Sequence, residues 1–511
     1  VKIQAESDPT APAVHGPRPT SEQDACIQAF ATRQNMTISA LAGSGKTSTL
    51  KMMSRVHPGR NGLYLAYNRA IADEAQLDFP EYVKCKTAHS LAYGWAARAW
   101  GGNALRNRLN GSRVRPQVTA EILGIKKFQE FAGIVMPAPQ LGRIAMETVQ
   151  RFCYTGDEQI DQWHVPGVTR IDTVEARREL ARYIVPRAEQ AWEDLSSPDG
   201  KLRFSHDHYL KAFCLTRPRL PYDYVLLDEG QDANGVIVDL LQRQGCQVVV
   251  VGDANQAIYR WRGAIDAMNS FDSRHDRTLT KSWRFGQAIA DEANKWLELL
   301  RADLRVLPGD PDKPGEIRPL GTAAKAVLCR TNAAVVKEVL RCHQDGRSVA
   351  VVGGTDEVVA FARAAEELMK TGTTTHRDLF VFKTWAEVQE YVEESHDGGD
   401  LKTWVRLIDD YRPEGVIEAM SKTANHGLRG DGALAAEMAA DVVVSTAHRA
   451  KGRQWDSVRI SMDFADREPE EDENGYLPEL DPDELMLAYV AVTRAQRLLD
   501  VGGLAWVERW T

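Results

Sequence analysis

The sequence predicts an α/β protein built on two parallel sheets, and three observations carry that expectation. Short, unbroken runs of β-branched and other apolar residues recur along the chain, as parallel strands buried on both faces require. The first three runs lead into a glycine loop or a carboxylate, at the strand ends where such sheets bind ligands. The runs also fall into two sets, each interrupted by a long segment of different character.

The first set comprises Met36–Ser39 before a glycine loop, Tyr224–Leu227 before Asp228, and Cys246–Val251 before Gly252. The second comprises Ala326–Cys329, Ser348–Val352, Val442–Thr446 and Val458–Met462. Between Ala92 and Asp207 the pattern turns helical, with basic residues at Arg98, Arg106, Arg108, Arg113 and Arg115. A second mixed segment, from Asp356 to Ala440, is punctuated by Gly/Asp-rich stretches at 396–400 and 427–432. The expected division is therefore a first unit over 19–91 and 208–280 with a helical insertion at 92–207. A second unit follows over 281–355 and 441–511, with a reduced insertion at 356–440. Residues 1–18 mix Pro, Ala and charges and are expected to be a disordered tail rather than a signal peptide.

Composition narrows the class. With 43% hydrophobic and 26% charged residues the chain reads as an ordinary globular protein. No apolar run approaches the roughly 18 residues that span a bilayer, so no membrane partner is expected. Cysteines at 26, 85, 153, 214, 246, 329 and 342 form no CxxC pair, which points to reduced thiols and a cytoplasmic location. The same spacing excludes a zinc ribbon, and His206 and His208 lack a second ligand pair. The net charge of −9 opposes nucleic-acid binding at first sight. However, the stretch Asp466–Glu484 sets ten acidic residues against Arg467 and carries all of that excess. Read as a solvated loop, it leaves the rest of the chain balanced and able to line a groove with basic residues.

The chemistry sits at the strand ends. Ala40-Leu-Ala-Gly-Ser-Gly-Lys-Thr47 has the spacing of a phosphate-binding loop, with Ala in place of its first Gly. Small residues there let backbone N–H groups close around phosphates at a helix N-terminus. Ala42, Gly43, Ser44, Gly45, Lys46, Thr47 and Ser48 are therefore the candidate ATP cradle, with Lys46 reaching the β- and γ-phosphates. In Tyr224-Val-Leu-Leu-Asp-Glu-Gly-Gln-Asp232, two carboxylates close a buried strand. Asp228 and the Thr47 hydroxyl suit Mg²⁺, and Glu229 can orient or deprotonate an attacking water.

These residues, with those that follow, resemble superfamily 1 helicases of the UvrD/Rep group. The resemblance runs from Pro19 to Ala495 through both α/β units but leaves out the two insertions. It implies two RecA-like P-loop NTPase domains, each carrying an inserted, largely helical subdomain. Pro19-Thr-Ser-Glu-Gln23 looks like the motif whose Gln, here Gln23, recognises adenine. Gly252-Asp-Ala-Asn-Gln-Ala-Ile-Tyr-Arg-Trp-Arg-Gly263 is the most specific match. By resemblance Gln256 senses the γ-phosphate, and Tyr259 and Trp261, with Arg262 beside them, meet the bases. Ser282-Trp-Arg-Phe285 implies an adenine-stacking Trp283 and an arginine finger, Arg284, and Tyr489-Val-Ala-Val-Thr-Arg-Ala495 supplies a second finger, Arg494. In Val444-Ser-Thr-Ala-His-Arg-Ala-Lys-Gly-Arg-Gln-Trp455, Thr446 and His448 would contact the strand backbone. Gln454 stands there where the family usually carries a ribose-binding Glu. Ala66-Tyr-Asn-Arg-Ala70 and Thr87-Ala-His-Ser90 look like two further strand-contacting motifs and nominate Tyr67, Asn68 and His89. Ser48-Thr-Leu50, Tyr67-Asn-Arg69 and Glu484–Arg494 are similar to the F-box DNA helicase branch, although no F-box is recognisable in the N-terminal tail.

What the resemblance implies is an ATP- and Mg²⁺-dependent motor moving 3′-to-5′ on single-stranded DNA, acting on tailed duplexes in repair or recombination. Independently, aromatics among arginines suit single strands, where stacking contributes about 1–3 kcal/mol per base. Two alternatives stand beside it. One is a translocase that strips proteins from DNA with little unwinding. The other is a nucleotide-switched subunit of a repair or phage-defence complex. Glu229, Gln256, Arg284 and Arg494 together favour turnover over a passive switch.

Overall fold

The structure, a computed structural model, describes residues 18–111, 114–131, 133–168, 171, 173–259, 267–374, 376, 378–379, 382–394, 399–467 and 480–510. Trp261, Arg262 and most of the acidic segment lie outside these residues.

Strands β1 (Met36–Ala40), β2 (Gly62–Leu65), β3 (Val83–Lys86), β6 (Tyr224–Leu227), β7 (Gln247–Gly252) and β8 (His275–Leu279) form one sheet in the order β3-β2-β6-β7-β1-β8. Every pairing in it is parallel. An antiparallel hairpin, β4 (Gln129–Phe131) and β5 (Ile134–Met136), lies between β3 and β6 in the chain. The short parallel pair β9 (Lys281–Ser282) and β10 (Leu307–Pro308) follows. The second sheet joins β11 (Glu316–Ile317), β12 (Ala326–Cys329), β13 (Val349–Val351), β14 (Val442–Thr446), β15 (Trp455–Ile460) and β16 (Ala495–Asp500). Its order is β11-β16-β15-β12-β14-β13, again parallel throughout. The architecture is thus α/β with two parallel sheets of the RecA-like kind.

Four of the apolar runs became β6, β7, β12 and β14, covered on both faces, while Ser348–Val352 became β13 at the edge of the second sheet. Edge strand β8 instead alternates half-buried and exposed residues along His275-Asp-Arg-Thr278 before the buried Leu279, so it carries no unbroken apolar run. Register aligns the functional ends: Leu227 pairs with Val250, and Ser39 with Gly252. The loops after β1, β6 and β7 therefore open side by side.

Between β3 and β6 the chain is chiefly helical, including Ala88–Trp100, Ala138–Tyr154, Val174–Leu195 and His206–Leu215. These helices share a core of their own, with Leu141, Phe152, Ile184 and Tyr209 among its members. Positions 92 and 207 fall within the first and last of them, so the helices run continuously past the expected bounds of the insertion. Helices Asp356–Thr371, Trp385–Glu394, Gly399–Ser421 and Gly430–Ala439 lie between β13 and β14. A further core joins the two halves, bringing Leu41, Ala42 and Ile258 against Phe285, Ala447 and Tyr489. Among the described residues, no helix is long and apolar enough to cross a membrane.

Candidate nucleotide and strand site

The loop after β1 turns on two left-handed glycines, Gly43 at φ 74° and Gly45 at φ 79°. Any side chain at Gly43 would also collide, since a Cβ there would lie 2.5 Å from Ser282 Oγ and 2.7 Å from Arg284 Cβ. Glycine is therefore what lets the loop press against the arginine-bearing segment after β9. Helix Lys46–Ser54 begins directly after Gly45, so its first N–H groups face the loop.

Lys46 Nζ lies 3.0 Å from Glu229 Oε2. Thr47 Oγ1 donates to Asp228 Oδ2 at 3.2 Å, and Tyr64 Oη donates to the same oxygen at 2.6 Å. Glu229 occupies the left-handed region at φ 53°, a strained setting for a side-chain-bearing residue. Burial by itself disfavours the Glu229 anion, but the Lys46 and Lys451 cations and a hydrogen bond from Gln231 outweigh it and hold the carboxyl at about 2. Burial pushes Asp228 the other way, upward, and the neighbouring Glu229 charge adds to this. Burial also works against the Lys46 ammonium, yet Glu229, Asp228 and Asp253 more than compensate and raise it.

The facing wall comes from the other half of the chain. Arg494, 2% exposed, donates from Nη2 to Gln256 Oε1 at 3.2 Å and to Thr493 Oγ1 at 2.9 Å. Arg284 Nη1 donates to the Thr493 carbonyl oxygen at 2.9 Å. Burial, reinforced by the nearby Arg284, draws the Arg494 guanidinium down to about 9, which leaves it cationic at neutral pH. Lys46, Glu229, Gln256, Arg284 and Arg494 line one cleft together with Ala42, Gly43, Tyr67, Asn68 and Tyr259.

Four further residues, Lys451, Asp232, Tyr489 and Asp253, tie the cleft together, and each stood unassigned inside a recognised motif. Lys451 crosses it to Asp232, with Nζ 2.6 Å from Oδ2, and both side chains are buried. Tyr489 Oη accepts from the Ala42 N–H and donates to Asp253 Oδ2, each at 3.1 Å. Asp253 also accepts from Gln256 Nε2 at 2.7 Å. Lys451 and Tyr489 stand in motifs that also supply His448 and Arg494, but nothing in those motifs marks these distant contacts.

Beside the loop, a Cβ built on Gly45 would stand 3.6 Å from Gln23 Nε2 and 3.8 Å from Trp283. Gln23 is itself fixed, donating to Thr49 Oγ1 at 3.2 Å, while the Trp283 ring is 45% exposed. Ser48 lies in the first turn of the helix after the loop. Gln454 is exposed and is not among the residues lining the cleft.

On the opposite side Tyr67 and Tyr259 hold their rings within 9° of parallel, with centroids 6.3 Å apart. Tyr259 Oη donates to the His448 carbonyl oxygen at 2.8 Å, and the Lys451 ammonium lies 5.4 Å from its ring centre. The Asn68 side-chain oxygen caps helix Arg69–Asp78, accepting from the Ile71 N–H at 2.9 Å. Thr446 likewise caps Ala447–Ala450. His89 stands near the start of Ala88–Trp100, 3.0 Å from Asp207.

The residues fit a triphosphate with a divalent cation. Among the described residues, the buried Ser44 hydroxyl and the Arg284 Nε have no hydrogen-bond partner. Asp228 and Thr47 offer the one carboxylate and one hydroxyl that Mg²⁺ uses when phosphate oxygens and water fill its other positions. No group of three or more acidic, His or Cys side chains able to hold a metal alone occurs among the described residues.

Comparison with known proteins agrees with this geometry. Residues 204–276 match the UvrD/REP helicase N-terminal domain family. Over 91% of its length the chain is 28% identical to F-box DNA helicase 1 of Gallus gallus, covering 47% of that protein. Over 94% it is 26% identical to F-box DNA helicase protein 1 of Schizosaccharomyces pombe, covering 57%. A shorter stretch of 88 residues is 36% identical to ATP-dependent DNA helicase PcrA of Leuconostoc citreum. The chain thus spans about half the length of the F-box relatives it matches. Its likeness is to the UvrD/REP helicase N-terminal domain over 204–276 and to the F-box DNA helicases along nine-tenths of its length.

Proposed function

We propose that the chain is an ATP-dependent DNA helicase or translocase that moves 3′-to-5′ on single-stranded DNA during repair or recombination. The observation that supports it best is the division of charge across the cleft. Lys46, Asp228 and Glu229 stand on the first sheet, while Arg284 and Arg494 reach in from segments beyond it. In this reading 19–91 and 208–280 form one motor domain, and 281–355 with 441–511 form the other. The helical insertions occupy 92–207 and 356–440.

Backbone N–H groups of the loop after β1 and Lys46 bind the triphosphate. Thr47 and Asp228 hold Mg²⁺, which supplies charge neutralisation at the phosphates. Glu229 takes the proton of the attacking water, and Arg284 and Arg494 balance the charge that develops on the transferring phosphoryl group. Gln256 touches both Arg494 and Asp253, so it links the state of the cleft to the loop carrying Tyr259. Gln23 and Trp283 bracket the base, and Gln454 reaches the ribose. Tyr67, Asn68, His89, Tyr259, Trp261, Arg262, Thr446 and His448 grip the strand. Closure and opening of the cleft then alternate that grip.

The test is unwinding of 3′-tailed, 5′-tailed and blunt duplexes with ATP, alongside hydrolysis with and without oligo-dT. The expected result is strand-stimulated hydrolysis and unwinding only from a 3′ tail. Unwinding from a 5′ tail alone would reverse the polarity. Strand-stimulated hydrolysis without unwinding would favour a translocase that displaces bound proteins, and hydrolysis indifferent to DNA would end the motor reading.

A further inference from the structure

We infer that Asp207, steadied by Gln150, is a positioning residue that sets the His89 imidazole for contact with the strand. The inference rests on the proposed role of this edge of the sheet in holding DNA. His89 belongs to the helix that leaves β3, while Tyr67 follows β2. The two strands are neighbours in register, Leu65 beside Lys86, and the Ala66 N–H donates to the Lys86 carbonyl oxygen at 2.9 Å. His89 and Tyr67 therefore depart from adjacent strand ends at the carboxyl edge of one sheet, which is where such sheets present ligand contacts.

The imidazole is fixed from two helices beyond its own. Asp207, in the first turn of His206–Leu215, places Oδ1 3.0 Å from His89 Nε2. Gln150, from Ala138–Tyr154, donates to the other carboxylate oxygen, Oδ2, at 2.8 Å. With both oxygens engaged the carboxylate has no free rotation. The His206 and Tyr209 rings stand edge-on to His89, each with centroids 6.4 Å away and planes at 89°. Burial alone would raise the Asp207 carboxyl, but the bonds from His89 and Gln150 lower it below the usual range. An ionised carboxylate can only accept, so the His89 proton sits on Nε2. Nδ1 is then the nitrogen left for the strand, as an acceptor on neutral imidazole or as a donor to phosphate on imidazolium. His89 keeps 39% of its side chain exposed for such a contact, whereas a purely structural ion pair has no need of that opening. Because Asp207 and Gln150 belong to the helical segment between β3 and β6, the placement also couples that segment to the track.

A double-mutant cycle tests this in the full chain, reading the affinity for fluorescent oligo-dT by anisotropy together with the melting temperature. Asp207→Ala and His89→Ala should each weaken binding about 5- to 30-fold, and the double variant should be no weaker than His89→Ala alone. Asp207→Asn, which keeps an acceptor for the Nε2 proton, should recover most of the affinity. Additive losses, or an Asp207→Ala affinity within twofold of wild type, overturn the inference while leaving the motor reading intact. Failure of the wild-type chain to bind oligo-dT overturns both. If Asp207→Ala melts below the assay temperature, Gln150→Ala takes its place in the cycle. Its smaller loss should vanish in the His89→Ala background, and persistence there refutes the inference.

Discussion

The cleft and the helical segment between β3 and β6 both bury ionisable groups, and Glu229 in the one ends in the opposite state from His208 in the other. In the cleft, Glu229 is held ionised at about 2 although burial opposes it, because Lys46 and Lys451 stand beside it. In the helical segment, burial drives His208 down to about 4, and the single charge of Asp207 offsets only part of the effect. Burial likewise draws Lys211 down to about 8, where its ammonium rests on the carbonyl oxygens of Thr155 and Asp157 at 2.7 and 2.6 Å. Burial is common to both regions, so the partners decide the outcome. In the cleft two cations keep Glu229 charged even as the adjoining Asp228 is pushed up, whereas His208, with one acid beside it, is left neutral.

The largest test of that contrast removes a cation from the cleft. Arg494→Ala should lower strand-stimulated phosphate release by about 10³-fold or more. A loss below tenfold would separate the buried arginine from turnover. Glu229→Gln keeps the shape and removes the base, and should cost about 10²- to 10⁴-fold in the same assay. Retained activity would assign the proton transfer elsewhere.

The next test moves to the helical segment and uses pH. The His208 folded value lies below the unfolded one, so its contribution is fully present above about pH 6.5 and is lost as pH falls through about 4. Protonation would also remove the acceptor for the Ser205 N–H, which donates to His208 Nδ1 at 3.0 Å. The acid-side loss attributable to His208 should be on the order of 3 kcal/mol. His208→Gln should flatten that limb in chemical unfolding at pH 7 and pH 4; an unchanged slope would remove His208 from the acid response. The smallest effect belongs to Tyr259→Ala. It should raise the strand concentration for half-maximal stimulation by the roughly 5- to 150-fold that a stacking loss of about 1–3 kcal/mol corresponds to, and alter strand-free hydrolysis less. Equal loss of both would make Tyr259 a packing residue.

The contrast also explains what could be read in advance. Strands such as β7 announced themselves because two-sided burial demands unbroken apolar runs, as in Val248–Val251, although the equally buried β2 was not among the expected runs. Edge strand β8 meets water at alternate positions, so His275-Asp-Arg-Thr278 gave no such signal. In the cleft, Lys46 and Glu229 were legible because phosphate loops and acidic strand ends have fixed local spacing. Lys451 and Tyr489 were not, since their meaning lies in contacts 219 and 447 residues away in sequence, with Asp232 and Ala42. The link from His89 to Asp207 spans 118 residues and has no motif to mark it.

The Tyr489 hydroxyl deserves a mechanical reading. A single oxygen at 3.1 Å from both the Ala42 nitrogen and the Asp253 carboxylate works as a gauge between the two halves. Widening by about an ångström takes both contacts beyond hydrogen-bond range together, so half-open widths gain nothing from either. Such a joint has a detent: it clicks shut at one spacing and is otherwise loose.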